Sequence, residues 1–134
     1  MDQLVTDVKS AHLIIVAAWL MSVAALTPAA ALAHAFPVTE QPRVGSTINA
    51  PPSEVTITYD APIESLFATL HVLDGSGNDE STGTPEVDPT RHLLSIKVRP
   101  LAPGDYTVQW AVVAEDGHRT EGSYMFTVVG KASG

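Results

Sequence analysis

The 134-residue sequence contains no cysteine. That excludes disulfides, thiolate zinc sites, iron–sulfur clusters and thiol catalysis together. Positive charge is scarce: seven Lys and Arg stand against fifteen Asp and Glu, for a formal charge of −8. Nucleic-acid binding draws much of its affinity from cationic contacts to phosphate, so a chain this acidic is not built for it. Docking on anionic lipid is disfavoured for the same reason. Helical periodicity is missing over most of the chain, where Pro and Gly recur at short intervals. The length suits one domain.

The N-terminal segment differs from the rest. Residues 1–10 are mixed, with Asp2 and Asp7 outnumbering Lys9, but from Ala11 to Ala33 there is no formally charged residue. Leu13, Ile14, Ile15, Val16, Trp19 and Leu20 make this run strongly apolar, and Ala31-Leu32-Ala33 closes it with the small-x-small pattern of a signal-peptidase site. The reading is a signal-peptide helix over 1–33, cleaved after Ala33. The alternative is an uncleaved membrane anchor, since a bilayer takes about 20 apolar residues. Cleavage makes His34 the first residue of the exported chain and takes the formal charge from −8 to −7, with Asp2, Asp7 and Lys9 lost. The domain is then expected over 34–130, with a short tail at 131–134.

Its strands follow from alternation. Val55-Thr56-Ile57-Thr58-Tyr59 alternates apolar and hydroxyl residues, as a half-buried strand does. Leu70 and Val72 share a face opposite Thr69 and His71. Leu94, Ile96 and Val98 form a third set, Tyr106, Val108, Trp110 and Val112 a fourth, and Tyr124, Phe126 and Val128 a fifth. Asp74 to Asn78 is dense in turn formers. Short strands with turns between them predict an all-β, immunoglobulin-like antiparallel β-sandwich of the Greek-key type. Pro103-Gly104-Asp105-Tyr106 has the form of a tyrosine corner, whose phenol bonds back to nearby backbone. Trp110 is expected to fill the core.

Of five histidines, His12 lies in the export segment, while His71 and His92 are expected to be solvated. His34 and His118 carry the chemistry. In an extended segment residues i and i+2 point to one side, so Asp116 and His118 can converge across Gly117, which lets the backbone adjust. A free N-terminal histidine offers its α-amine and imidazole to one metal. The amine has an ordinary pKa near ~8, so binding releases a proton and weakens as pH falls. With Asp116 and His118 the donors are three nitrogens and an oxygen, a set that suits tetragonal Cu(II) better than tetrahedral zinc. Beyond the export segment the one methionine is Met125, too few thioethers for a Cu(I) site. The prediction is one Cu(II) per chain.

These residues together resemble the CopC family of exported copper-binding proteins, small β-sandwiches linked to copper resistance and uptake. The likeness runs from His34-Ala35 through Gln41-Pro42-Arg43-Val44-Gly45-Ser46, Ala50-Pro51-Pro52 and Tyr59-Asp60-Ala61-Pro62-Ile63-Glu64. It continues through Leu101 to Trp110 and ends in Asp116-Gly117-His118 and Glu121-Gly122-Ser123. The resemblance implies a periplasmic, non-enzymatic protein holding copper on His34, Asp116 and His118, with an inner-membrane copper transporter as partner. Two departures stand out. Some members carry a glutamate where this chain has Ala61, and those with a second, Cu(I) site have a methionine-rich segment where Asp74 to Pro89 is acidic. Two other functions are compatible with parts of the pattern. One is an oxygen-activating enzyme, since a terminal histidine on a sandwich resembles the histidine brace of lytic polysaccharide monooxygenases. Against it, Asp116 would fill the position such chemistry leaves open. The other is a membrane-tethered interaction module without metal, contacting the bilayer through an uncleaved signal segment.

Overall fold

A computed structural model describes residues 34–131. The expected signal-peptide helix over 1–33, and residues 132–134 of the expected tail, lie outside the described residues. Eight strands form: β1 (Pro37–Gln41), β2 (Thr47–Ile48), β3 (Glu54–Tyr59), β4 (Thr69–Leu73), β5 (Ser81–Asp88), β6 (Leu93–Val98), β7 (Gly104–Val113) and β8 (Arg119–Val128). One short 3₁₀ turn, η1 (Ser65–Phe67), lies between β3 and β4. Among the described residues no helix is long and apolar enough to cross a membrane.

Two four-stranded sheets face each other, in the orders β1-β3-β6-β5 and β2-β8-β7-β4. The first, third, fifth and sixth strands of the chain make one sheet and the rest the other, the immunoglobulin arrangement once the short β2 is counted as an added edge strand. The pairing is antiparallel except where β2 lies parallel to β8, Thr47 beside Thr127 and Ile48 beside Val128. That exception has a local cause. The chain leaves β1, turns at Gly45, whose φ of +70° suits glycine, and crosses to the opposite sheet. There Gly45 donates its N–H to the Met125 carbonyl at 2.7 Å.

The five alternating sets read from the sequence all turn inward. Val55, Ile57, Tyr59, Leu70, Val72, Leu94, Ile96, Val108, Val112, Phe126 and Val128 are buried in one core. Each such side chain contributes about 1.5–3 kcal/mol by area, and with no disulfide this burial carries the domain. The tyrosine corner forms as expected, with the Tyr106 hydroxyl donating to the Ala102 carbonyl at 2.5 Å. Asp74 caps the predicted turn by accepting the N–H groups of Ser76 and Asn78. Burial pushes the phenols of Tyr59 and Tyr124 well above their ordinary range, so both stay neutral.

Trp110 differs from expectation. It points inward but is only half-buried, because it sits at the margin of the sandwich directly opposite Gly122 on β8. Its indole covers Tyr59 edge-on, with ring centroids 5.6 Å apart. A β-carbon on residue 122 would lie 2.7 Å from the indole Cζ2, so the tryptophan has room only because its partner is glycine.

This pairing predicts non-additivity. Trp110→Ala should cost about 3 kcal/mol and Gly122→Ala about 1–3 kcal/mol by overpacking. In urea melts the double variant should be less destabilised than the two losses together, since removing the indole relieves the clash. Additive losses would contradict the packing.

Candidate metal centre

Three segments meet at one end of the sandwich: the chain entering β1, the β3–β4 connection, and the β7–β8 hairpin. Antiparallel pairing sets this, because Pro37 lies opposite Tyr59 at the end of β3 and Ile63 bridges to Ala114 at the end of β7.

The hairpin is closed by a three-residue loop, Glu115 to Gly117. Gly117 donates to the Ala114 carbonyl at 2.8 Å, and Ala114 donates to the His118 carbonyl at 2.9 Å. Gly117 has φ +89°, the left-handed residue that ends this class of hairpin loop. The glycine between Asp116 and His118 is therefore a geometric requirement. Asp116 Oδ1 accepts the His118 N–H at 3.0 Å, and Asp116 Oδ2 lies 3.2 Å from His118 Nδ1. The hydrogen bond from the His118 backbone holds the Asp116 carboxyl below its usual range, against a smaller effect of burial. The pair remains open to solvent, with side chains 22% (Asp116) and 44% (His118) exposed.

His34 arrives from the other end of the chain on a tethered arm. Ala35 is fully buried, and its carbonyl accepts the Thr120 hydroxyl at 2.6 Å, between residues 85 positions apart. One residue on, Phe36 donates its N–H to Asp60 Oδ1 at 2.8 Å and accepts from the Asp60 N–H at 3.0 Å. These contacts set the His34 ring edge-on to the His118 ring, with centroids 4.6 Å apart. One donor atom from each of His34, Asp116 and His118 lies within 4.8 Å of the others. Two imidazoles and a carboxylate at such spacing can close on a single divalent ion.

All three residues singled out in the sequence thus meet at one point. That Thr120, Ala35 and Asp60 hold the arm carried no signal in sequence, because a strand threonine and a loop aspartate look the same whatever they bond. Ala61 is buried beside this region and supplies no carboxylate. The other histidines lie elsewhere. His71 is half-exposed as expected, but not simply solvated: its Nδ1 lies 2.8 Å from Asp79 Oδ2. Burial pushes the Asp79 carboxyl up, yet hydrogen bonds from Ser81 and the His71 pair outweigh it and hold it at about 2. His92 sits in the β5–β6 turn with φ +50°, and its carbonyl accepts the Tyr59 N–H at 2.9 Å.

The arm makes a test possible without metal. Thr120→Val leaves the Ala35 carbonyl without its donor at a cost of about 1–3 kcal/mol. In proton NMR spectra the mutual ring-current shifts of His34 and His118 should collapse while the core resonances persist. Unchanged shifts would mean that the arm is held some other way.

A CopC-domain family model matches residues 37–129. The copper transport protein CutJ of Bacillus subtilis is 30% identical over 109 residues, which cover 80% of this chain but only 20% of CutJ. The protein YobA of Escherichia coli is 32% identical over 100 residues, 72% of this chain and 79% of YobA. Among solved structures, CopC from Methylosinus trichosporium is 28% identical with a TM-score of 0.67, over 71% of this chain and 93% of that one. PcoC, a methionine-rich copper resistance protein from Escherichia coli, is 26% identical with a TM-score of 0.61, over 72% and 99%. With residues 37–129 matched by the family model and the same sandwich in its structural relatives, the chain belongs to the CopC family of copper resistance and transport proteins.

Proposed function

We propose that this protein is an exported, non-enzymatic carrier that binds one Cu(II) through His34, Asp116 and His118 in the periplasm. The observation that supports it most is the convergence of these three side chains from opposite ends of the domain. Removal of residues 1–33 adds the α-amine of His34, completing a three-nitrogen, one-oxygen donor set. Such a set favours Cu(II), which also heads the affinity order of the divalent ions. Because Asp116 and His118 already face each other at 3.2 Å, metal entry requires no loop to fold. The site is open on the solvent side, which suits uptake and release of a cargo ion.

Unlike the methionine-rich relative PcoC, this chain has only Met125 after the export segment. The carrier is accordingly a Cu(II) protein with no thioether site to which copper could be passed within one molecule. CutJ is a copper transport protein in which the part similar to this chain is one-fifth of the length. That supports delivery of the bound ion to a membrane transporter as the next step.

Competition titration with Cu(II) tests the site. A chain beginning at His34 should bind one equivalent, and binding should raise the thermal midpoint, since a ligand of the folded state stabilises it by mass action. One alanine added ahead of His34 removes the amine–imidazole chelate. The affinity should then fall by more than the roughly 10–100-fold typical of changes outside the ligand shell. Equal tight binding by both chains would sink the N-terminal chelate.

A further inference from the structure

The end of the sandwich that carries His34, Asp116 and His118 also carries the most exposed apolar side chains of the domain. Leu66 is 86% and Phe67 62% exposed. Both belong to η1, which buries none of its residues. The turn is nevertheless held firmly, because Glu64 donates its N–H to the Val113 carbonyl at 2.8 Å and Glu115 donates to the Pro62 carbonyl at 3.2 Å. Phe36, 53% exposed, has its ring 6.1 Å from that of His34. Apolar side chains fixed on well-bonded backbone, left uncovered beside an open polar site, form the pattern of an interaction surface.

Charge narrows the partner. Asp60, Glu64 and Glu115 are exposed on the segments that meet at this end, in addition to Asp116 of the trio itself. Of the nearby cations, Arg119 lies 3.0 Å from Glu121, and Arg91 donates its backbone N–H to Asp88 on the β5–β6 turn, whose carboxylate its charge also favours. Such a rim repels an anionic bilayer and repels the same face of a second copy. It attracts an apolar surface ringed by Lys and Arg.

We propose that Leu66, Phe67 and Phe36 form the surface by which this protein docks, copper site first, on the outward face of a membrane copper transporter whose contact is apolar with a cationic rim. The inference rests on the carrier reading given above. It adds the docking residues and the chemistry of the partner surface. Docking at this end puts the bound ion at the contact, so transfer needs no opening of the sandwich.

The test uses apo exported protein and vesicles from the producing cell, outward face exposed, with protease-shaved vesicles and protein-free liposomes of the same lipid beside them. Leu66→Ser/Phe67→Ser is the variant. Both side chains are exposed, so its thermal midpoint and Cu(II) titration should match the wild type. Wild-type protein should bind intact vesicles saturably and ever more weakly as salt rises. The variant should bind at least about tenfold more weakly, the scale of losing anchor residues from a contact. Copper transfer from the loaded variant should slow in parallel. Equal binding by variant and wild type, equal retention on shaved vesicles or liposomes, or a wild-type dimer that the substitution dissolves would each overturn the proposal. Failure of the wild type to bind Cu(II) would overturn the carrier reading separately, since docking is scored without metal.

Discussion

The site depends on one tether: the arm that carries His34 is fastened to the body of the domain at Ala35. The methyl of Ala35 is buried in the core, its carbonyl takes the Thr120 hydroxyl, and Phe36 and Asp60 exchange two hydrogen bonds through the aspartate side chain and both backbones. Without these contacts a terminal histidine samples a large volume, and chelation would have to order it at a cost of about 1–2 kcal/mol per residue fixed. With them, the His34 ring is held beside His118 in advance. The hairpin supplies the other half by local geometry alone, since a left-handed Gly117 places Asp116 and His118 on one side. A non-local strap and a local turn therefore meet at the end of a rigid sandwich.

Sandwiches of this class gather several loops at each end, and those ends are where binding surfaces sit. Here one end combines an ordered polar trio, an acidic rim and uncovered apolar side chains on η1. Fold likeness alone does not give function. The copper reading draws on donor chemistry at that end and on relatives named for copper transport and copper resistance.

Much of this was legible in the sequence. The five inward-facing sets could be read because they belong to strands with one buried and one wet face, which imprint a period of two. Asp116 and His118 could be read because their relation is local, and His34 because the expected cleavage site, Ala31-Leu32-Ala33, lies just before it. β2 is two residues long, and β5 contains Gly83 and Pro85 with a register shift between Thr82 and Glu86. Such edge strands show no clean alternation, since packing constrains them least. The Thr120–Ala35 strap and the half-burial of Trp110 over Gly122 are tertiary facts fixed by which residues pairing brings opposite each other. No single segment encodes them.

Under the proposed function, cleavage after Ala33 completes the site. Intact-mass measurement of the protein recovered from the exported fraction tests this most directly. A mass corresponding to residues 34–134, with His34 first and unblocked, is the predicted result. A chain that keeps Met1, or starts at any other residue ahead of His34, would contradict it, because the α-amine would then lie elsewhere and the fourth donor would be lost.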